Sequence, residues 1–149
     1  MNFLAHLLLG SASAEQALGS MLGDFVKGPV QQLDLPEGVR GGVWLHRRID
    51  SYTDAHPLVL QSKARISLER RRFAGILVDM FYDHLLARHW ASFTDRPLED
   101  FSRDVYCQLR AQRALMPERA WTVVSYMSEQ DWLGSYAELK HLHRAVDNM

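Results

Sequence analysis

Apolar residues recur along this chain with the helical period, and no segment sustains the period-two alternation of a half-buried strand. The pattern predicts a short apolar helix over Met1 to Leu9. Ser13 is placed to cap a second helix, with Gln16 closing a capping box, and Gly28-Pro29 stops that helix near Lys27. A loop over Gln31 to Gly38 follows, then a third helix over Val39 to Thr53. Pro57 opens a shorter helix toward Ser67, because proline in a first helical turn gives up an amide that has no partner there. The strongest helical pattern runs from Arg71 to Trp90. Further helices follow Pro97 and Pro117, and a last one starts near Trp132. No repeat, low-complexity tract or linker divides the chain, so an all-α, single-domain helical bundle over residues 1–149 is expected. The last helix shows no cap before Met149, and a further C-terminal segment is expected to follow it in the complete domain.

Several polar residues interrupt the apolar faces. With side chains about 100° apart around a helix, Val39, Gly42, Val43, Leu45, Ile49 and Tyr52 share one arc of the third helix. His46 and Asp50, one turn apart, fall within it. In the Arg71–Trp90 helix, Ile76, Leu86, Ala87 and Trp90 surround Asp79 and Asp83, again one turn apart. His84 lies among Phe73, Leu77 and Met80, and only a narrow strip near Tyr82 and His89 is expected to face solvent. Asp24 sits at the edge of the face made by Ala14, Ala17, Leu18, Met21 and Phe25, and His6 lies in the first apolar helix.

Carboxylates on a buried face are costly unless something positive neutralises them. A divalent cation does so directly, and helical bundles build such centres from inward-facing residues of several helices. The candidate ligands are therefore His46, Asp50, Asp79, Asp83, Asp24 and His6. The plainer reading satisfies each group separately. Asp50 would pair with Arg47, and Asp54 would cap the helix that Pro57 opens.

Composition narrows the classes. Hydrophobic residues make up 47% and charged residues 23% of the 149, as in ordinary globular domains. A net charge of -1 argues against nucleic-acid binding by bulk charge. Cys107 is the single cysteine, which excludes an internal disulfide and a cysteine zinc site and suits a reducing, cytoplasmic setting. No stretch approaches the roughly 20 apolar residues of a membrane span. No Lys or Arg precedes the apolar run at the start, and His6 interrupts it, which favours a buried helix over a cleaved leader. Lys63, Arg65, Arg70, Arg71 and Arg72 form a basic cluster broken only by Glu69, which reads as a solvated face or a dock for an acidic partner. Trp44 points away from the core arc of its helix.

Longer motifs carry a resemblance. They are Met1-Asn2-Phe3-Leu4-Ala5-His6-Leu7, Gly23-Asp24-Phe25-Val26-Lys27-Gly28 and Leu45-His46-Arg47-Arg48-Ile49-Asp50. Thr53-Asp54-Ala55-His56-Pro57, Arg72-Phe73-Ala74-Gly75-Ile76 and Asp79-Met80-Phe81-Tyr82-Asp83-His84-Leu85 continue the set, and Asp131-Trp132-Leu133-Gly134-Ser135-Tyr136 extends it toward the end. Together they resemble the acyl carrier protein phosphodiesterases over nearly the whole chain, a family similar to the helical HD-type metal phosphohydrolases. The resemblance implies hydrolysis of the phosphodiester between 4′-phosphopantetheine and a serine of holo acyl carrier protein, leaving the apo protein. It implies manganese as the metal and strongly acidic acyl carrier protein as the partner. Within that activity, Arg47, Arg48 or Lys27 would neutralise phosphate charge, and His84 or His56 would protonate the leaving serine oxygen. Two other readings stay open. One is a metal phosphohydrolase acting on a nucleotide or other small phosphodiester, and the other is a helical binding module with structural ions.

Overall fold

A computed structural model describes residues 2–147. The chain forms α1 (Phe3–Leu9), α2 (Ala14–Leu22), α3 (Glu37–Ala55), α4 (Pro57–Ala64) and α5 (Ala74–Arg88). It continues through α6 (Leu98–Arg110), α7 (Glu118–Glu129), α8 (Trp132–Ser135) and α9 (Leu139–Asp147), with short 3-10 turns between several of them. Among the described residues there is no strand, so the fold is all-α. No described helix is long and apolar enough to cross a membrane.

The start signals act where the sequence places them. The Ser13 hydroxyl accepts the Gln16 amide at 3.1 Å, and the Gln16 side chain reaches back to the Ala12 amide at 3.0 Å. Pro57 stands in the first turn of α4, and α6 and α7 begin directly after Pro97 and Pro117.

Several boundaries differ from expectation. The second helix ends at Leu22 rather than Lys27, because the Phe25 and Val26 amides both turn back onto the Leu22 carbonyl. Asp24 therefore stands on a turn. Residues 68–73 form a 3-10 segment, so α5 starts at Ala74 rather than Arg71, and α4 stops at Ala64 short of Ser67. The expected last helix is split into α8 and α9. Met1 and Met149 lie outside the described residues. On α5, Ile76 and Phe81 are exposed, whereas Tyr82 is half-buried with its hydroxyl 2.8 Å from Ser62.

The core joins Leu4 and Leu7 of α1 to Leu18, Met21 and Leu22 of α2 and Val39 and Val43 of α3. Leu109, Val124, Met127 and Leu133 extend it through α6, α7 and α8. Burying each large aliphatic side chain is worth about 1.5–3 kcal/mol. The closest crossing is α2 on α3, where Gly19 and Gly42 meet backbone to backbone. A Cβ on either would overlap main-chain atoms of the opposite helix. This tight crossing brings the end of α2 onto the His46 face of α3.

Candidate metal centre

His46 lies in the second half of α3, and its side chain is only 3% exposed. Its Nδ1 is 2.7 Å from the Ser20 carbonyl of α2. A carbonyl only accepts, so Nδ1 carries a proton and donates it. That fixes Nε2 as the atom aimed at the carboxylates, 3.4 Å from Asp24 Oδ1 and 3.2 Å from Asp50 Oδ2. Gly23 makes room for the ring, because a Cβ at Gly23 would overlap the imidazole.

His6 arrives from α1. Its ring stacks on that of His46 with centroids 3.7 Å apart and planes within 10°. Its Nε2 is 3.0 Å from Asp50 Oδ1. One carboxylate thus bridges two stacked imidazoles. The Nδ1 of His6 is buried and has no hydrogen-bond partner among the described residues.

The electrostatics follow from this packing. Burial alone would lower the His46 pKa, but Asp24 and Asp50 outweigh it and hold the imidazole up to about 9. Burial raises the Asp50 carboxyl, yet hydrogen bonds from His46 and His6 dominate and hold it well below the usual range. Asp24 is lowered, chiefly by its hydrogen bond to His46. Positive charge between these groups, as a proton on His46 or as a cation, would offset the two carboxylates.

A divalent cation fits the donor set. Ligand atoms of His6, His46 and Asp50 all lie within 4.8 Å of one another, and the Asp24 carboxylate adjoins them. Two imidazole nitrogens and two carboxylates suit manganese, iron, magnesium or zinc. The Ser20 carbonyl on His46 Nδ1 is the orienting contact that metal-binding histidines use. The imidazoles are buried, while the Asp24 and Asp50 side chains are 36% and 44% exposed. The centre thus opens to solvent on its carboxylate side.

Asp79 and Asp83 stand outside this converging group. Asp79 is half-buried on α5. Asp83 is buried, and its two oxygens accept the amides of Leu4 at 2.9 Å and Ala5 at 3.0 Å, at the start of α1. Burial pushes the Asp83 carboxyl up to about 7 against those two hydrogen bonds. His84 is buried too, and its Nδ1 donates to the Tyr136 carbonyl at 2.7 Å.

The other candidates are dispersed. Arg47 donates to the carbonyls of Gly28 at 2.7 Å and Val26 at 3.2 Å, so it pins the turn that carries Asp24 and the exposed Lys27. It does not pair with Asp50 as the plainer reading had it. Asp54 pairs with Lys63 at 2.7 Å, and His56 instead caps α4 by accepting the Leu58 amide at 3.2 Å. Arg48 lies over the exposed Trp44 ring. Arg48 and His56 both line a groove of about 410 Å³ with Tyr52. Helix geometry puts that groove on the side of α3 opposite His46 and Asp50, so Tyr52, which is 70% exposed, lies outside the core arc that periodicity gave it. Ser20, Gly23 and the Gly19–Gly42 pair shape the centre, yet they carry no ionisable side chain to mark them in the sequence. Their signal was isolated glycines inside helical patterns, which mark close packing.

A helical domain with a buried histidine pair bridged by a carboxylate is the class that these observations define. The whole chain, residues 1–149, matches the family described as acyl carrier protein phosphodiesterase, and the protein belongs to that family. It is 38% identical over 150 residues to an acyl carrier protein phosphodiesterase of Yersinia enterocolitica. It is 39% identical over 150 residues to one of Pectobacterium atrosepticum, and 34% identical over 154 residues to one of Escherichia coli. In each case the alignment takes in 100% of this chain and 77% of the relative. No solved structure matches.

Proposed function

We propose that this protein is a metal-dependent phosphodiesterase that cleaves the 4′-phosphopantetheine arm from holo acyl carrier protein, with Mn2+ held by His6, Asp24, His46 and Asp50. The observation that supports the metal is the convergence of these side chains around one point. The activity for which the relatives are named supports the substrate. A single exposed thiol suits action in the cytoplasm.

In the reaction, water adds to phosphorus, the bond from phosphorus to the serine oxygen breaks, and that oxygen takes up a proton. A bound divalent cation supplies charge neutralisation at the phosphate and an acidified water. The chain's own residues do the rest. The Ser20 carbonyl keeps His46 in one tautomer with Nε2 facing the site. Arg47 holds the turn that positions Asp24 and leaves Lys27 exposed beside it, where an ammonium offsets charge on the phosphate. His56 accepts the Leu58 amide on Nδ1, so its neutral ring carries a proton on Nε2. His84 is buried with its Nδ1 proton on the Tyr136 carbonyl, and His56 lines the groove opposite His46, so neither adjoins the centre and solvent at its open carboxylate side is the nearer proton source.

Incubation with holo acyl carrier protein and Mn2+, followed by intact-protein mass, tests the proposal. The expected product is the apo protein, with no conversion after chelation. Release of product from a small phosphodiester but not from holo acyl carrier protein would reject the substrate assignment.

A further inference from the structure

One contact beside the centre involves none of the side chains of His6, Asp24, His46 and Asp50. Helix α1 has seven residues, too few to hold its own shape in water, and Asn2 gives it no side-chain cap. Its early amides would be orphaned in the interior. Asp83 reaches across from α5 and takes two of them, Leu4 on Oδ2 and Ala5 on Oδ1. The next residue is His6, whose ring enters the stack on His46. Two hydrogen bonds to one planar carboxylate fix both the position and the rotation of α1. Rotation decides where His6 points, since one residue along a helix turns the side chain by about 100°.

We propose that Asp83 is a positioning residue: it clamps the first turn of α1 so that His6 meets His46 and Asp50, and it acts on the metal only through His6. The proposal rests on the metal reading given above. It separates Asp83 from Asp50, although both are carboxylates one turn along a core helix from another ionisable side chain. Both Asp83 oxygens are already engaged by backbone amides, whereas those of Asp50 face imidazoles.

The test is a cycle of variants titrated with Mn2+ alone. Asp83→Ala should weaken Mn2+ binding by about 10- to 100-fold, the usual scale for losing an orienting contact. In a His6→Ala background the same change should alter affinity by less than about twofold. Asp83→Asn, which keeps one acceptor, should lie between wild type and Asp83→Ala, and it carries the test should Asp83→Ala not fold. Amide exchange on metal-free protein gives the second readout. Leu4 and Ala5 should lose protection in Asp83→Ala and keep it in His46→Ala. An equal loss of affinity with and without His6 would make Asp83 a direct ligand and overturn the proposal, as would unchanged affinity in both Asp83 variants. Should wild type bind no Mn2+, the metal reading falls on its own. The clamp is then judged by Leu4 and Ala5 protection and by whether the His6 ring signal in NMR shifts in Asp83→Asn.

Discussion

Two pairs of identical residue types tell different stories. His46 and Asp50 on α3 meet other side chains, His6 and Asp24, across helix boundaries. Asp83 and His84 on α5 meet main chain, the Leu4 and Ala5 amides and the Tyr136 carbonyl. Both imidazoles are buried, although Asp50 is half-exposed and Asp83 is not, so burial of the histidines does not distinguish the pairs. The partners do. A polar side chain that satisfies backbone groups is spent on holding helices together. One that faces other ionisable side chains leaves an unresolved charge, which a proton or a cation must settle.

The largest expected effect breaks that comparison directly. His46→Ala should reduce Mn2+ affinity and turnover of holo acyl carrier protein by about 100-fold or more, because it removes a proposed ligand. His84→Ala should change metal affinity by less than about threefold, yet lower stability by about 1–3 kcal/mol by leaving the Tyr136 carbonyl unsatisfied. Calorimetric titration and urea unfolding on both variants decide the matter. Equal losses of metal affinity would erase the distinction between the two pairs.

A subtler change sharpens it. Gly23→Ala should push the His46 ring out of place and lower Mn2+ affinity by about 10- to 100-fold while helix content by circular dichroism stays as in wild type. Wild-type affinity in that variant would mean that the ring has room to move without cost.

The pH dependence has a defined sign. The native His46 pKa of about 9 exceeds the unfolded value of 6.5. In metal-free protein its ion pairs therefore stabilise fully below pH 6.5, and that contribution is lost as pH rises through 9. The stability advantage of wild type over His46→Gln in urea should shrink between pH 7 and about 9.5. Apparent Mn2+ affinity should move the other way, rising by up to about tenfold per pH unit over the same interval as the competing proton leaves. A flat profile in both measurements would place the proton elsewhere.

The smallest effect concerns the basic segment. Arg65, Arg70, Arg71 and Arg72 are exposed, and Lys63 is tied to Asp54. Reversing Arg70 and Arg71 to Glu should slow reaction with acidic holo acyl carrier protein by about 3- to 10-fold at low salt and leave Mn2+ affinity unchanged. Equal rates at low salt would move docking to Arg47, Arg48 or Lys27.

Much of this was legible in the sequence. Helix starts at Ser13, Pro57, Pro97 and Pro117 follow local chemistry, and the one-turn spacing of His46 and Asp50 is visible from periodicity. What escaped is set by distant partners. The stop at Leu22 and the turn that offers Asp24 depend on backbone reversal and on α3 lying against Gly23. Asp79 and Asp83 have the same spacing as His46 and Asp50. No helical wheel distinguishes a carboxylate that meets an imidazole from one that meets amides 79 and 78 positions earlier.

That separation also sets a schedule. The first helix leaves the ribosome with its amides unclaimed, and the residue that claims them is 79 positions behind. At synthesis rates of about 5–20 residues per second, that is a wait of roughly 4–16 seconds. During the wait a seven-residue helix cannot sustain itself. On the clamp proposed above, α1 thus waits for a residue made much later, and the centre that His6 completes would assemble only once α5 has been made.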